Sequence, residues 1–426
     1  MEYIQRVQGP PLHVLVHPSL EIKDGRGGER GVFVTHDIPC GEVLVKVPRQ
    51  SLFTLDSLLE DDNAALRSLF SISEALREDD VLAIALLYER FGRSSEAPSK
   101  WSAHLDVLPT GRLLNAINLS STALERLKGS SLHSLACQQQ CQVISDFSEL
   151  SALALMVGDT RLSVCEWWSI KNYRWALSMI HSRFVSVGTK PGAPPRKAMA
   201  PFFDLFNHLC ATPPALTHGF VAEGRGDGDK VAGNSDAEDE GSLIVAAGRS
   251  LVAGEEACLT YGPHGNLELL QLYGFVLPDD NPFDALDIWA MMDPAAPAKE
   301  RALTRLGLHP PFALSKEAPV LSPSLLAAIR IQRAQGSELA RLENALEGPL
   351  SAANERETLT ALETALTDMR AALPREEKER GEEEEQEQEM GEDEEEARLV
   401  RLYLQSEHAL LTLGLDALAA LQVQQT

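Results

Sequence analysis

Pro201-Phe202-Phe203-Asp204-Leu205-Phe206-Asn207-His208 and, some fifty residues on, Gly254-Glu255-Glu256-Ala257-Cys258-Leu259-Thr260-Tyr261-Gly262 are the two stretches whose reading decides the fold. The first is an apolar run that closes on Asn-His, and its Pro and paired aromatics favour a strand or turn over a helix. The second reads as a strand ending on Tyr-Gly, and it runs on into Leu272-Tyr273-Gly274-Phe275. A third stretch, Gly27-Gly28-Glu29-Arg30-Gly31-Val32-Phe33-Val34, lies near the start of the chain and leads from glycines into a strand.

Around these anchors the pattern changes character in blocks. Residues 12–56 read as short strands, at His13–Val16, Gly31–Val34 and Glu42–Pro48, separated by Gly-rich and Pro-containing breaks. From about 57 to 180 the spacing is helical, as in Asp80–Tyr88, and strand character returns at 198–205, 242–246 and 257–261. Residues 221–240 are rich in Gly and Asp and predict a surface loop. Beyond 290 the chain is helical again, with blocks at 323–372 and 397–422 on either side of an acidic run, a layout that predicts antiparallel helices.

Composition narrows the function. The chain has 426 residues and is 44% apolar, enough for two or three compact domains. It has no apolar run of eighteen residues and no signal-peptide layout, which predicts a soluble intracellular protein, cytoplasmic or nuclear, and a monomer. A net charge of −25 argues against nucleic acid as a partner. Residues 376–396, with fourteen acids and two bases, carry about half of that excess and read as a solvated spacer more readily than as a binding element. The six cysteines are scattered, with neither a disulfide framework nor a C-x-x-C zinc pair. His133, Cys137 and Cys141 would align on one helix face, but zinc needs a further ligand or an open catalytic position, so a plain helix face is the better reading and no metal is expected.

The apolar run ending in Asn207-His208, the strand ending in Tyr261-Gly262 and the early glycine loop stand in the order found in SET-domain protein methyltransferases. The chain resembles their cysteine-poor branch, typified by the Rubisco large-subunit lysine methyltransferase, over roughly residues 10–290 with a weaker continuation. The resemblance implies an α+β protein: a β-rich SET domain at 10–290 with a helical insertion at about 57–172, then an all-α substrate-binding domain at 297–426. It implies S-adenosyl-L-methionine as cofactor and the ε-amine of a lysine in a protein as acceptor. It also implies contacts to the cofactor from the backbone of Gly28, Glu29 and Arg30, from Ser182 and Arg183 at the end of the 173–184 helix, from Asn207 and His208, and from Tyr261. Tyr261 is implied as the catalytic tyrosine that orients methyl group and acceptor, Tyr273 and Phe275 as walls of the acceptor channel, and Asp204 as a residue that supports the site or faces the substrate. The residue after Arg183 departs from the family pattern, because the usual spacer before Phe184 is missing.

The chemistry of methyl transfer agrees with these residue types. An in-line displacement asks the protein for alignment and a neutral amine, and an apolar, aromatic channel supplies both without a metal. Each motif has a plainer reading. Tyr261, Tyr273 and Phe275 suit any buried aromatic cluster, Asn207 any turn, and Asp204 with His208 the i, i+4 spacing of metal ligands. The glycine loop lacks the Lys-Ser/Thr of a phosphate-binding loop and does not enter a helix. Histidine methylation is the alternative chemistry, and a catalytically silent scaffold is the alternative class. The block after 296 carries no cofactor motif; it is expected to select the protein substrate, through a basic surface on that target, and to be dispensable for cofactor binding.

Overall fold

The computed structural model describes residues 2–25, 30–59, 76–93, 96–156, 166–188, 195–210, 213–222, 241–277, 281–288, 297–374 and 391–424. Gly28 and Glu29, residues 223–240 of the expected loop and residues 376–390 of the acidic run lie outside the described residues. The described residues form two compact units, Met1–Leu113 with Cys141–Gly262, and Leu114–Gln140 with Pro263–Thr426. These units are interleaved in sequence, whereas the expected limits, 10–290 and 297–426, are consecutive.

In the first unit the β-branched runs form antiparallel strands. β1 (Leu15–Val16), β2 (Leu20–Asp24), β3 (Arg30–Val34) and β4 (Val43–Pro48) come early in the chain, and β5 (Phe53–Thr54) follows. β6 (Phe184–Val187), β7 (Arg196–Met199), β8 (Leu216–Ala222) and β9 (Gly241–Ala247) come from beyond the helical stretch. They build a four-stranded sheet in the order β1-β4-β9-β8, a β2-β3 pair and a β5-β7-β6 sheet. β4 and β9 are registered through Val47↔Leu243 and Val45↔Val245, and all four of these side chains are buried. Removing each from water contributes about 1.5–3 kcal/mol. The register is fixed because a slip by one residue would turn this apolar row toward solvent.

Two helices of this unit pack together. Ile170–Arg183 starts on a Ser169 hydroxyl that accepts from the Asn172 N–H at 3.3 Å. It packs against Glu78–Leu87, to which the buried Tyr173 hydroxyl donates at Asp80 Oδ1, 2.6 Å away. Asp80 also accepts from Arg77 at 2.9 Å on both oxygens, so the buried carboxylate is paired. Burial and the adjacent Asp80 both push the Tyr173 hydroxyl pKa up, so it remains a donor.

In the second unit the helices Pro297–Arg305, Pro323–Arg333, Ala352–Ala372 and Glu392–Gln424 enclose a core that includes Leu325, Ile329, Leu362, Leu366 and Leu411. β10 (Ala285–Asp287) pairs with β11 (Ala313–Ser315) beside them. Ser322 with Pro323 behind it starts one helix, as the sequence chemistry demands, and the Ser322 hydroxyl accepts from the Leu325 N–H at 3.1 Å. Arg330 and Glu355 form a buried bidentate pair at 2.6 and 2.7 Å. Leu399, Val400 and Tyr403 pack with Leu119, Leu127, Leu132 and Leu270 in a second cluster of the same unit. Glu396 reinforces this by accepting from the Ser120 N–H at 2.9 Å, and Glu407 by accepting from the Ser131 N–H at 3.0 Å. The fold class, α+β with a helical C-terminal part, is the one expected from the sequence. No helix among the described residues is long and apolar enough to cross a membrane.

Candidate active site

After β7 the chain makes a tight turn. Phe202 adopts φ +72°, a left-handed conformation that costs an aromatic residue about 1–3 kcal/mol, and the single 3-10 turn Phe203–Leu205 follows. The turn is held by burial: Phe202 and Phe206 are fully inaccessible and meet edge to face at 5.7 Å. Beyond it the backbone runs extended alongside 257–261. The Leu259 N–H donates to Asn207 O and the Leu209 N–H to Leu259 O, both at 2.9 Å, which makes His208 and Leu259 a parallel bridge.

That bridge brings the two motifs together. The Tyr261 N–H donates to His208 Nδ1 at 3.0 Å, and the rings lie 5.0 Å apart. A neutral His208 that accepts at Nδ1 carries its hydrogen on Nε2, 3.3 Å from Cys210 Sγ. The Tyr261 hydroxyl donates to Phe206 O at 2.8 Å, so the tyrosine is tied to the chain immediately before Asn207. Asn207 Nδ2 donates to Glu256 Oε1 at 2.7 Å and to Arg30 O at 3.3 Å. Gly262 then turns the chain away at φ +136°, a conformation that L side chains rarely adopt. Gly31 sits against this junction: a Cβ there would run into Glu256 Oε1 and stand 3.1 Å from Asn207 Nδ2. Gly31→Ala is therefore expected to push Glu256 off Asn207 with little loss of thermal stability, since the atom displaced is the end of a flexible side chain, and under the function proposed below to weaken cofactor binding about threefold to fivefold, read by calorimetry.

Arg183 and Asp204 are paired with each other. The Asp204 side chain has no exposed surface, so the reading in which it faces a substrate is corrected in favour of support. Arg183 Nη1 donates to Asp204 O at 2.9 Å and lies 3.4 Å from Oδ2, while His104 Nε2 stands 3.2 Å from Oδ1. Burial by itself pushes the Asp204 carboxyl up, but His104 and Arg183 together hold it below the usual carboxylate range. Arg183 Nη1 thus serves an internal acid, while its Nε is buried without a hydrogen-bond partner among the described residues. The Ser182 hydroxyl donates to Ser178 O one turn back at 2.7 Å, and Arg30 sends its guanidinium to Val107 O at 2.7 Å. Of the early loop, Arg30 alone among the three expected residues is described, and it meets Asn207 through its backbone carbonyl.

Tyr273 and Phe275 belong to the second unit. Their rings are 6.1 Å apart, and Tyr273 lies 5.8 Å from His264, whose Nδ1 is 2.8 Å from Glu268 Oε2. Burial first, and Glu268 second, push the Tyr273 hydroxyl up, so it stays protonated. Three contributors escaped the sequence reading. Glu256 had a signal, since it stands in the quoted motif with its neighbour Glu255 facing Arg249 instead. Tyr3 and His104, which reach Asp204 and Phe202 from distant segments, had none. The Cys137 and His133 side chains lie 3.8 Å apart on their helix, and no group of three or more His, Cys, Asp or Glu among the described residues could hold a metal ion.

Comparison with known proteins finds likenesses of sequence and fold. The family described as "Rubisco LSMT substrate-binding" matches residues 290–411. The Arabidopsis thaliana protein named "Protein SET DOMAIN GROUP 40" is 27% identical over 276 residues, which cover 62% of this chain and 53% of that one. The Homo sapiens actin-histidine N-methyltransferase is 25% identical over 309 residues, covering 71% of this chain and 47% of that one. The chain thus spans about half the length of these curated relatives. Among solved structures, the SET domain of LSMT bound to lysine and AdoHcy superposes with a TM-score of 0.75 at 17% identity, covering 100% of this chain and 91% of that one. Rubisco LSMT bound to AdoMet gives 0.74 at 17% identity, covering 100% and 92%. By fold the chain is similar to the SET domain of LSMT, and residues 290–411 match the substrate-binding family.

Proposed function

We propose that this chain transfers methyl groups from S-adenosyl-L-methionine to the ε-amine of a lysine in a protein. The observation that carries the reading is the junction in which Asn207, His208 and Tyr261 are cross-tied through Phe206 O, His208 Nδ1 and the 207–259 bridge. Two features suit the cofactor. Arg183 Nε is a buried donor that a carboxylate would satisfy, and Gly31 leaves room beside Asn207 where a side chain would intrude. When bound, S-adenosylmethionine supplies an electrophilic methyl group on a sulfonium sulfur.

What remains is the work of the protein's own groups. In this reading Asn207 and the His208 backbone hold the two ends of the cofactor. The Tyr261 hydroxyl gives its hydrogen to Phe206 O, so toward any further partner it presents lone pairs. An acceptor N–H directed at that oxygen turns the nitrogen lone pair toward the methyl group.

Lysine is chosen over histidine because the aromatic pair Tyr273 and Phe275 suits a long alkyl amine, and because the solved relatives hold lysine or methyl-lysine beside AdoHcy. The actin-histidine relatives support the second reading, an imidazole acceptor. Incubating the protein with labelled cofactor and a cell lysate, then mapping the product by mass spectrometry, separates them: methyl-lysine supports the first reading, methyl-histidine the second. A chain that binds no cofactor by calorimetry is a scaffold.

Residues 290–411, with the match to a substrate-binding family, are proposed to select the target. Deleting everything past 296 would bare the face of Leu119, Leu127 and Leu132 that Leu399 and Tyr403 cover, so the full chain is the right material. A chain with net charge −25 is expected to attract a basic surface on its target. Raising salt from about 0.05 to about 0.3 M should then raise the KM for the intact protein about threefold, leaving kcat unchanged. A KM independent of salt removes the electrostatic part of this proposal.

A further inference from the structure

We propose that Tyr3 and His104 are positioning residues of the methyl-transfer site, acting through the turn that carries Phe206 and Asn207; this rests on the function proposed above. The helix Glu2–Gln8 precedes every motif that the sequence reading used, yet Tyr3 is built into the turn. The Phe202 N–H donates to the Tyr3 hydroxyl at 3.0 Å, and the two rings stack within 3° of parallel. Tyr3 thereby holds the backbone at the one residue of the turn with left-handed φ.

The direction of the first hydrogen bond follows from donor chemistry. A backbone N–H can only donate, so Tyr3 Oη accepts from Phe202, and the same oxygen is hydrogen-bonded to His104 Nδ1, 2.7 Å away. The other ring nitrogen, Nε2, faces the Asp204 carboxylate at 3.2 Å, somewhat off the hydrogen-bond axis. Arg183 closes the series on the other carboxylate oxygen and on Asp204 O. Arg183 supplies a cation beside the buried Asp204 anion, an arrangement that burial tolerates far better than a lone charge.

The series grips a single turn at three places. Phe202 is held by Tyr3, Asp204 by His104 and Arg183, and Phe206 by the Tyr261 hydroxyl. The first two fix where the Phe206 carbonyl points, and that carbonyl fixes the Tyr261 hydroxyl. Loosening Tyr3 or His104 should therefore disturb alignment for the reaction more than affinity for the cofactor, because Asn207 and His208 keep their own ties to residues 256–261.

The test uses the full chain and four variants. Tyr3→Phe keeps the ring on Phe202 and removes only the hydroxyl. His104→Leu removes both ring nitrogens, whereas His104→Gln has an amide that can donate to Asp204 and accept from Tyr3. Arg6→Gln breaks the surface pair of the same helix with Asp106 and serves as the control for helix docking. Hydrogen exchange of the ligand-free 200–208 segment, calorimetric affinity for S-adenosylmethionine, and kcat on the mapped target are measured for each. Tyr3→Phe and His104→Leu are expected to speed exchange in 200–208 about tenfold and to lower kcat about fivefold, with cofactor affinity changed less than about twofold. His104→Gln should recover most of both, and Arg6→Gln should match the parent. Unchanged exchange and turnover in Tyr3→Phe and His104→Leu overturn the proposal, as does a kcat loss in His104→Gln equal to that in His104→Leu. If the parent chain transfers no methyl group but Tyr3→Phe still loosens 200–208, the tether stands and the methyl-transfer reading is the part that fails.

Discussion

Tyr261→Phe is expected to lower turnover about a hundredfold while leaving cofactor affinity within about threefold of the parent. The substitution removes one atom from a well-defined setting. The ring remains beside His208, and the backbone bond from the Tyr261 N–H to His208 Nδ1 is untouched, so the cross-tie between the two motifs survives. What goes is the hydroxyl that donates to Phe206 O at 2.8 Å and, in the proposed reaction, presents its lone pairs to the acceptor. In the ground state that loss is modest, since a hydrogen bond exchanged for one with water contributes only about 1 kcal/mol net. In the transition state the acceptor nitrogen must lie in line with the methyl group, and a contact that strengthens only there appears in kcat alone. Single-turnover rates and calorimetric affinity measured on the same preparations check this. Equal losses in the two would recast Tyr261 as a binding residue, and full activity would take it out of the mechanism.

Local chemistry made much of this legible. The β-branched run at 43–48 pairs as a strand, Ser322-Pro323 starts a helix, and 352–372 and 392–424 form helices of the expected helical C-terminal part. The site motifs were legible as a set because their order along the chain carries information that no single motif has. The pairing that assembles them, His208 with Leu259, is non-local, and neither strand segment shows the period-2 alternation that announces a strand. Asp204 reads from the sequence as supporting the site or facing the substrate, and what decides between these is non-local: the left-handed Phe202 turns the chain inward, where His104 and Arg183 compensate the charge. Tyr3, 199 residues from Phe202, could not be found by any local rule. The same limit hid the interleaving of the units: the apolar face of 114–136 reads as part of an insertion, and only the structure shows Leu399, Val400 and Tyr403 covering it.

Asn207→Ala should raise the dissociation constant for S-adenosylmethionine at least tenfold without unfolding the chain. Fold retention follows from which atoms are lost. The Asn207 carbonyl still accepts from the Leu259 N–H, so the parallel bridge that aligns His208 and Tyr261 remains. The side-chain amide is different: its Nδ2 is the group joining the Glu256 carboxylate to the Arg30 carbonyl, at the point where Gly31 leaves space. Truncation leaves the Glu256 carboxylate short of a donor and removes an anchor for a charged ligand, together a loss of about 1.5–3 kcal/mol, or a tenfold or greater rise in dissociation constant. Asn207→Asp sharpens the argument, because it keeps the shape but sets a second carboxylate against Glu256; its affinity should fall at least as far as in the alanine variant. Calorimetry on the three proteins, with melting temperatures as the check on folding, decides the matter. Unchanged affinity in Asn207→Ala would move the cofactor away from this junction, and with it the reason for regarding Tyr261 as the residue that aligns the reaction.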